Sequence, residues 1–164
     1  MSIEIIRAGV EHSGEIATMF ANLQKIHTGI DKTLFKEICD LDKIAQAIKT
    51  SIEEKTRIFL LAYLDGEPCG YLEGSLAITE DSEIFIPRKI SKIENIFVYP
   101  EKRRLGCATA LWNAFFSYAS SRGIHHMELD VMSANNDAIK FYESLGFVPY
   151  KTTLIRKSQE GKDE

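Results

Sequence analysis

A chain of 164 residues, 45% of them hydrophobic, is long enough for one ordinary domain and too apolar for a disordered segment. Its formal charge of −4 gives no electrostatic case for nucleic acid as a partner, which would call for a basic face. Cys39, Cys69 and Cys107 are odd in number and widely spaced, which argues against a disulfide framework or a zinc site.

The four histidines, His12, His27, His125 and His126, show no metal-ligand rhythm, so no metal is expected. Reduced thiols make the cytoplasm the default location. Glu4 and Arg7 interrupt the first apolar stretch, unlike a secretory leader. The longest apolar run, Ile58 to Leu64, is too short to cross a bilayer, so no membrane partner is expected.

In chain order, Ser2–Arg7 reads as a first strand. Glu11–His27 carries Ile16, Met19, Phe20, Leu23 and Ile26 at helical spacing. Leu41–Glu54 repeats the pattern with Ile44, Ala47, Ile48 and Ile52, and Asp40 stands where a cap belongs. Arg57–Leu64 is a β-type run, and the turn at Asp65-Gly66 returns the chain as Cys69–Ile78, a hairpin. Thr79–Ile90 mixes charge with Pro87 and reads as a loop. Ser91–Tyr99 is a further strand, stopped by Pro100.

From Arg104 to Ser121 a broad apolar stripe argues for a helix that Gly123 can end. Ile124–Met132 reads as a strand, Asn136–Leu145 as a short helix closed by Gly146, and Phe147–Arg156 as a final strand. The order describes one mixed α/β domain over residues 1–157, with residues 158–164 a polar tail.

The stretch from Val98 to Ala108 holds most of the chemistry. A strand stops at Pro100, a helix follows within a few residues, and Lys102, Arg103 and Arg104 lie between. Unpaired amides and the macrodipole at a helix start favour an anion. Small Gly106 and Ala108 leave room for a phosphate to reach the backbone, while Cys107 can turn inward. On these residues alone, a charged surface turn before a core-packing helix is an equal alternative. A P-loop and a Rossmann fingerprint are absent.

Arg103-x-x-Gly106-x-Ala108, after a strand ending Ile96-Phe97-Val98-x-Pro100, resembles the coenzyme A signature of the GNAT superfamily of N-acetyltransferases. Asn135-x-x-Ala138-x-x-Phe141-Tyr142-x-x-x-Gly146-Phe147 is similar to that family's second motif. The resemblance implies a single domain built on a mostly antiparallel, V-splayed mixed sheet flanked by helices. It implies acetyl-CoA as co-substrate, with its pyrophosphate on the amides of Arg103, Arg104, Leu105, Gly106, Cys107, Ala108 and Thr109. The backbone of Ile96, Phe97 and Val98 would hold the pantetheine arm as an added strand, and Asn135 and Tyr142 would complete the cofactor contacts. The implied reaction is direct transfer to a primary amine of a small molecule or peptide, with a homodimer left open. A non-catalytic acyl-CoA sensor is the alternative.

The family resemblance gives Tyr142 the part of proton donor to the leaving thiolate; a packing tyrosine on an apolar helix face is the other reading. Glu94 lies four residues before Val98. Period-two alternation puts it on the face of Ile96 and Val98, where it is a candidate base for the amine proton. A surface carboxylate, with a water relay instead, is the alternative. Seven acidic residues between Asp65 and Glu94 would suit a cationic acceptor or form a solvated loop. His125 and His126 read as solvated turn residues.

Overall fold

The computed structural model describes residues 1–36 and 40–156; Cys39 and the polar tail lie outside them. The chain divides into two compact units, Met1–Asp130 and a second that begins at Val131.

The first unit is organised on a five-stranded sheet, in the order β1 (Ile3–Arg7), β2 (Ile58–Leu64), β3 (Glu67–Ile78), β4 (Lys89–Val98) and β5 (His126–Leu129). The first four strands pair antiparallel and β5 joins β4 in parallel. Helix α1 (Ser13–Ile30) and helix α2 (Leu41–Glu53) follow β1, and α3 (Cys107–Ser120) follows β4. Asp40 caps α2, its carboxylate accepting from the Lys43 amide at 3.1 Å.

β2 is apolar along its whole length because both of its faces are covered. Phe59 and Leu61 pack with Tyr71, Phe97 and the buried stripe Ile16, Met19 and Leu23 of α1. On the opposite face Gly74 lies so close to the Phe115 ring of α3 that a Cβ there would collide with it. The hairpin turn is made by Asp65 (φ 52°) and Gly66 (φ 85°), both left-handed, which matches the twist of the strands they join.

Two irregularities shape β4. Opposite β3, Glu73 pairs with Asn95 and Gly74 with Ile93, which leaves Glu94 as the extra residue of a β-bulge. Opposite β5, pairing runs only from Ile90 to Ile93. The strand segment Glu94–Val98 is therefore bonded to β3 on one side and, among the described residues, has no strand partner on the other, the splay expected of the sheet.

The second unit contains α4 (Asn136–Ser144). Asn135 caps it, its Oδ1 accepting from the Ala138 amide at 3.3 Å. The final strand expected over Phe147–Arg156 does not form. Pro149 removes a ladder donor, and Val148, Tyr150, Leu154 and Ile155 are exposed, so alternation there buries no apolar face. Among the described residues no helix is long and apolar enough to cross a membrane.

Candidate active site

The turn between β4 and α3 is built in three steps. Pro100–Lys102 forms one 3-10 turn, with the Lys102 amide on the Tyr99 carbonyl at 2.8 Å. Arg103 is extended, and Arg104 (φ 61°) and Gly106 (φ 88°) are left-handed. Gly106 is the N-cap of α3 and supplies no side-chain cap, so the first amides of that helix remain open. The helix thus begins at Cys107 rather than Arg104, because residues with positive φ cannot continue into an α-helix. The three basic residues precede the helix instead of occupying its first turn.

Arg103 is used structurally. Its Nε donates to the Val98 carbonyl at 3.1 Å, tying the turn to the end of β4. The Tyr99 amide reaches back to the Cys69 carbonyl at 3.0 Å, so Tyr99 directs its backbone groups toward β3. By alternation Phe97 does the same, and Ile96 and Val98 present theirs to the unpartnered side. With its carbonyl engaged by Arg103, Val98 has its N–H left to offer there.

Cys107 is buried and points inward, as its place between two small residues suggests. It lies against Cys69, and both thiols are free. Burial, with the hydrogen bond to Cys107, pushes the Cys69 thiol up to about 12. That is the behaviour of a packed side chain, not of a nucleophile.

Glu94 does not share a face with Ile96 and Val98. The bulge reverses the alternation, so its carboxylate projects with Glu73 and Ser75 of β3. Glu94 Oε1 accepts from Arg57 Nη1 and from Ser75 Oγ at 2.8 Å, and Oε2 lies 4.0 Å from Lys92 Nζ. Lys92 is itself held by Asp130 at 2.7 Å. Glu73 Oε2 accepts from Asn95 Nδ2 at 2.7 Å, and its Oε1 lies 3.7 Å from Arg57 Nε.

In the second unit, Tyr142 is buried on α4 with ring centroids 5.4 Å from Phe141 and 5.8 Å from Phe147. Burial pushes its phenol up to about 12, so its hydroxyl keeps its proton across the neutral range.

The acetyltransferase (GNAT) family model matches residues 23–147, a span that takes in the open helix start, the bulged strand and α4. The chain belongs to the GNAT acetyltransferase family. It is 36% identical over 89 residues to an uncharacterized N-acetyltransferase of Methanocaldococcus jannaschii, a match covering 54% of this chain and only 38% of that relative. It is 23% identical over 150 residues to a thialysine N-ε-acetyltransferase of Caenorhabditis elegans, covering 90% of this chain and 84% of the other. Among solved structures, a tetramutant of the BH1408 protein of Bacillus halodurans superposes with a TM-score of 0.84 at 21% identity, covering 94% and 99% of the two chains. An aminoglycoside N-acetyltransferase, AAC(6')-Iy, crystallised with CoA, gives 0.76 at 18% identity and 96% and 95% coverage. GNAT membership makes the chain an acyltransferase of the N-acetyltransferase class.

The first unit of this GNAT chain brings Ile96, Val98, Arg103, Gly106 and the amides of Cys107 to Thr109 to one strand end and helix start. Phe97 turns its ring into the core instead. Asn135 has a structural role as a cap, and Leu105 is partly exposed. His126 is the first residue of β5 rather than a turn residue, its side chain still solvated, with Nε2 at 2.9 Å from Glu128 Oε1. Sequence reasoning counted Glu73 only among the acidic residues from Asp65 to Glu94 and passed over Arg57 and Asn95. The available signal was a glutamate in the otherwise uncharged run Cys69–Ile78.

Proposed function

We propose that the chain transfers an acetyl group from acetyl-CoA to a primary amine of a small molecule or peptide, by direct attack within a ternary complex. The observation that carries this reading is the uncapped start of α3 behind left-handed Gly106, one short turn after a strand that has one unpartnered side among the described residues. Open amides and the helix dipole suit a pyrophosphate. The free N–H of Val98 and the outward backbone of Ile96 suit an amide-bearing pantetheine arm lying along β4. In this reading residues 1–157, both compact units, act as one acetyltransferase domain, and its setting is cytoplasmic.

Bound acetyl-CoA supplies a thioester carbonyl as the electrophile. The protein orients the amine nitrogen toward that carbon, so that a C–N bond forms as the C–S bond breaks. Tyr142 then steadies the departing sulfur. A phenol pushed up to about 12 is a weaker acid than a thiol at ~8.5, so its part is a hydrogen bond to the developing thiolate more than outright protonation. Glu94 and its neighbours receive the acceptor's ammonium. The similar thialysine and aminoglycoside acetyltransferases support an amine acceptor, and a cluster in which Glu73, Glu94 and Asp130 outnumber Arg57 and Lys92 supports a cationic one.

Thiol release from acetyl-CoA across a panel of polyamines, aminoglycosides and lysine peptides tests the proposal. Amine-dependent release with mass-confirmed acetylated product is expected.

A further inference from the structure

A cavity of about 330 Å³ opens at the end of α3 remote from its uncapped start. Arg7 of β1, Lys55 just beyond α2 and Arg122 just beyond α3 line it, together with Tyr118, Ile58 and Leu76. At ~1.5 Å per residue, roughly 16 Å of helix separates Cys107 from Tyr118. Alternation along β3 puts Leu76 on the face of Gly74, against α3, and Glu73 and Ser75 on the other face. The cavity thus lies across the sheet from the Glu73–Glu94 cluster and shares no lining residue with the turn before α3.

Three cations converge here in a chain whose net charge is −4. Lys43, Arg57, Arg88 and Lys92 each stand within 4.0 Å of a carboxylate. Among the described residues, Arg7, Lys55 and Arg122 have no such partner. The fold gathers them by other means. The Arg122 guanidinium carbon lies 3.7 Å from the centroid of the Tyr118 ring and that of Arg7 lies 5.1 Å from it, so one aromatic ring seats both. Arg122 Nη1 also donates to the Tyr118 carbonyl at 3.3 Å, where the end of the helix favours a cation. Lys55 is left-handed (φ 57°), at a place after α2 that favours glycine or asparagine. These contacts hold the cations side by side and neutralise none of them.

We propose that this cavity binds a small organic dianion, a phosphate monoester or a dicarboxylate. Two planar guanidinium forks match the paired oxygens of either group, and the lysine adds a point charge. Ile58, Leu76 and the Tyr118 ring offer apolar surface to the rest of the molecule. The volume stands at the lower end of small-molecule sites, which suits a compact ligand. The site is independent of the acetyl-transfer reading.

Isothermal titration with phenyl phosphate, succinate, inorganic phosphate and neutral benzyl alcohol, at low and high salt, tests the proposal. The proteins compared are the wild type, Arg7→Gln, Lys55→Gln, Arg122→Gln, Gly106→Glu and Lys43→Gln, the last an ion-paired surface control. Phenyl phosphate or succinate should saturate one site, bind more tightly than inorganic phosphate and weaken as salt screens the cations, while benzyl alcohol does not bind. The tighter of the two tells a phosphate site from a dicarboxylate site. Each of the three cavity substitutions should weaken binding about tenfold, with Lys43→Gln and Gly106→Glu unchanged. The same anion should raise the melting temperature of the wild type and raise that of Arg7→Gln less. Unliganded Lys55→Gln should melt no lower than the wild type, because one of three like charges is gone. Anion binding that survives Arg7→Gln and Arg122→Gln but is lost in Gly106→Glu would place the anion at the start of α3 and overturn the site. No saturable binding of any of the three anions also overturns it. So does low-salt dimerisation in sedimentation that Arg7→Gln abolishes, which would give the cations to an acidic surface of a second copy.

Discussion

Gly106 tests the proposed phosphate turn in two separable ways. Its φ of 88° is left-handed, and a Cβ built on it would meet only the Ile3 Cδ1 atom at 3.5 Å, an ordinary contact. Gly106→Ala therefore introduces backbone strain without a clash. A left-handed L-residue costs roughly 1–2 kcal/mol. In a chain of this length each kcal/mol moves the melting temperature by about 2–4 °C, so a drop of about 2–8 °C is expected by calorimetry. Gly106→Asn should recover part of it, because asparagine tolerates this region. Gly106→Glu adds a negative charge at the helix N-terminus, where the proposal seats the pyrophosphate, and should abolish acetyl-CoA binding in isothermal titration. An unchanged melting temperature in Gly106→Ala would refute the left-handed turn. Unchanged acetyl-CoA affinity in Gly106→Glu would refute the phosphate site.

Other substitutions probe the remaining parts. Tyr142→Phe, which removes one hydrogen-bond donor to the developing thiolate, should lower kcat by about 10² while acetyl-CoA affinity and melting temperature hold, as measured by thiol release and calorimetry. Because folding raises the Tyr142 phenol from 10 to about 12, its contribution to stability is complete below pH 10 and lost as pH rises through 12. Denaturant midpoints between pH 10 and 12 should thus fall less steeply in Tyr142→Phe than in the wild type. Tyr71 and Cys69, raised in the same direction, keep their share of the fall. Gly74→Ala places a methyl group against the Phe115 ring and should cost about 1–3 kcal/mol of stability in denaturant unfolding.

The elements that local pattern could specify were legible. Apolar spacing located α1, α2 and α3, Gly146 marked the end of α4, Asp40 marked a helix start, and Asp65-Gly66 marked the hairpin. What failed depends on pairing between distant segments. Nothing in Ile93-Glu94-Asn95 announces that Glu73 and Gly74 pair two β4 residues apart, so the reversal that turns Glu94 toward β3's carboxylate was hidden. The same holds for Phe147–Arg156, which looks like a strand but whose apolar side chains beyond Phe147 are exposed. The strand-to-helix turn before α3 was legible because its signals are local: Pro100 ending a strand, small Gly106 and Ala108, and an apolar helical stripe after them. The carboxylate cluster was not, because Arg57, Glu73 and Glu94 come from three strand regions that meet only in the fold.

The most direct test of acetyl transfer combines calorimetric titration of acetyl-CoA into the purified protein with thiol release under a broad amine panel. Saturable acetyl-CoA binding that disappears in Gly106→Glu, together with amine-dependent thiol release and an acetylated product by mass, is the predicted result. Tight acetyl-CoA binding with no acetylated amine anywhere in the panel would contradict it and make the chain an acyl-CoA sensor.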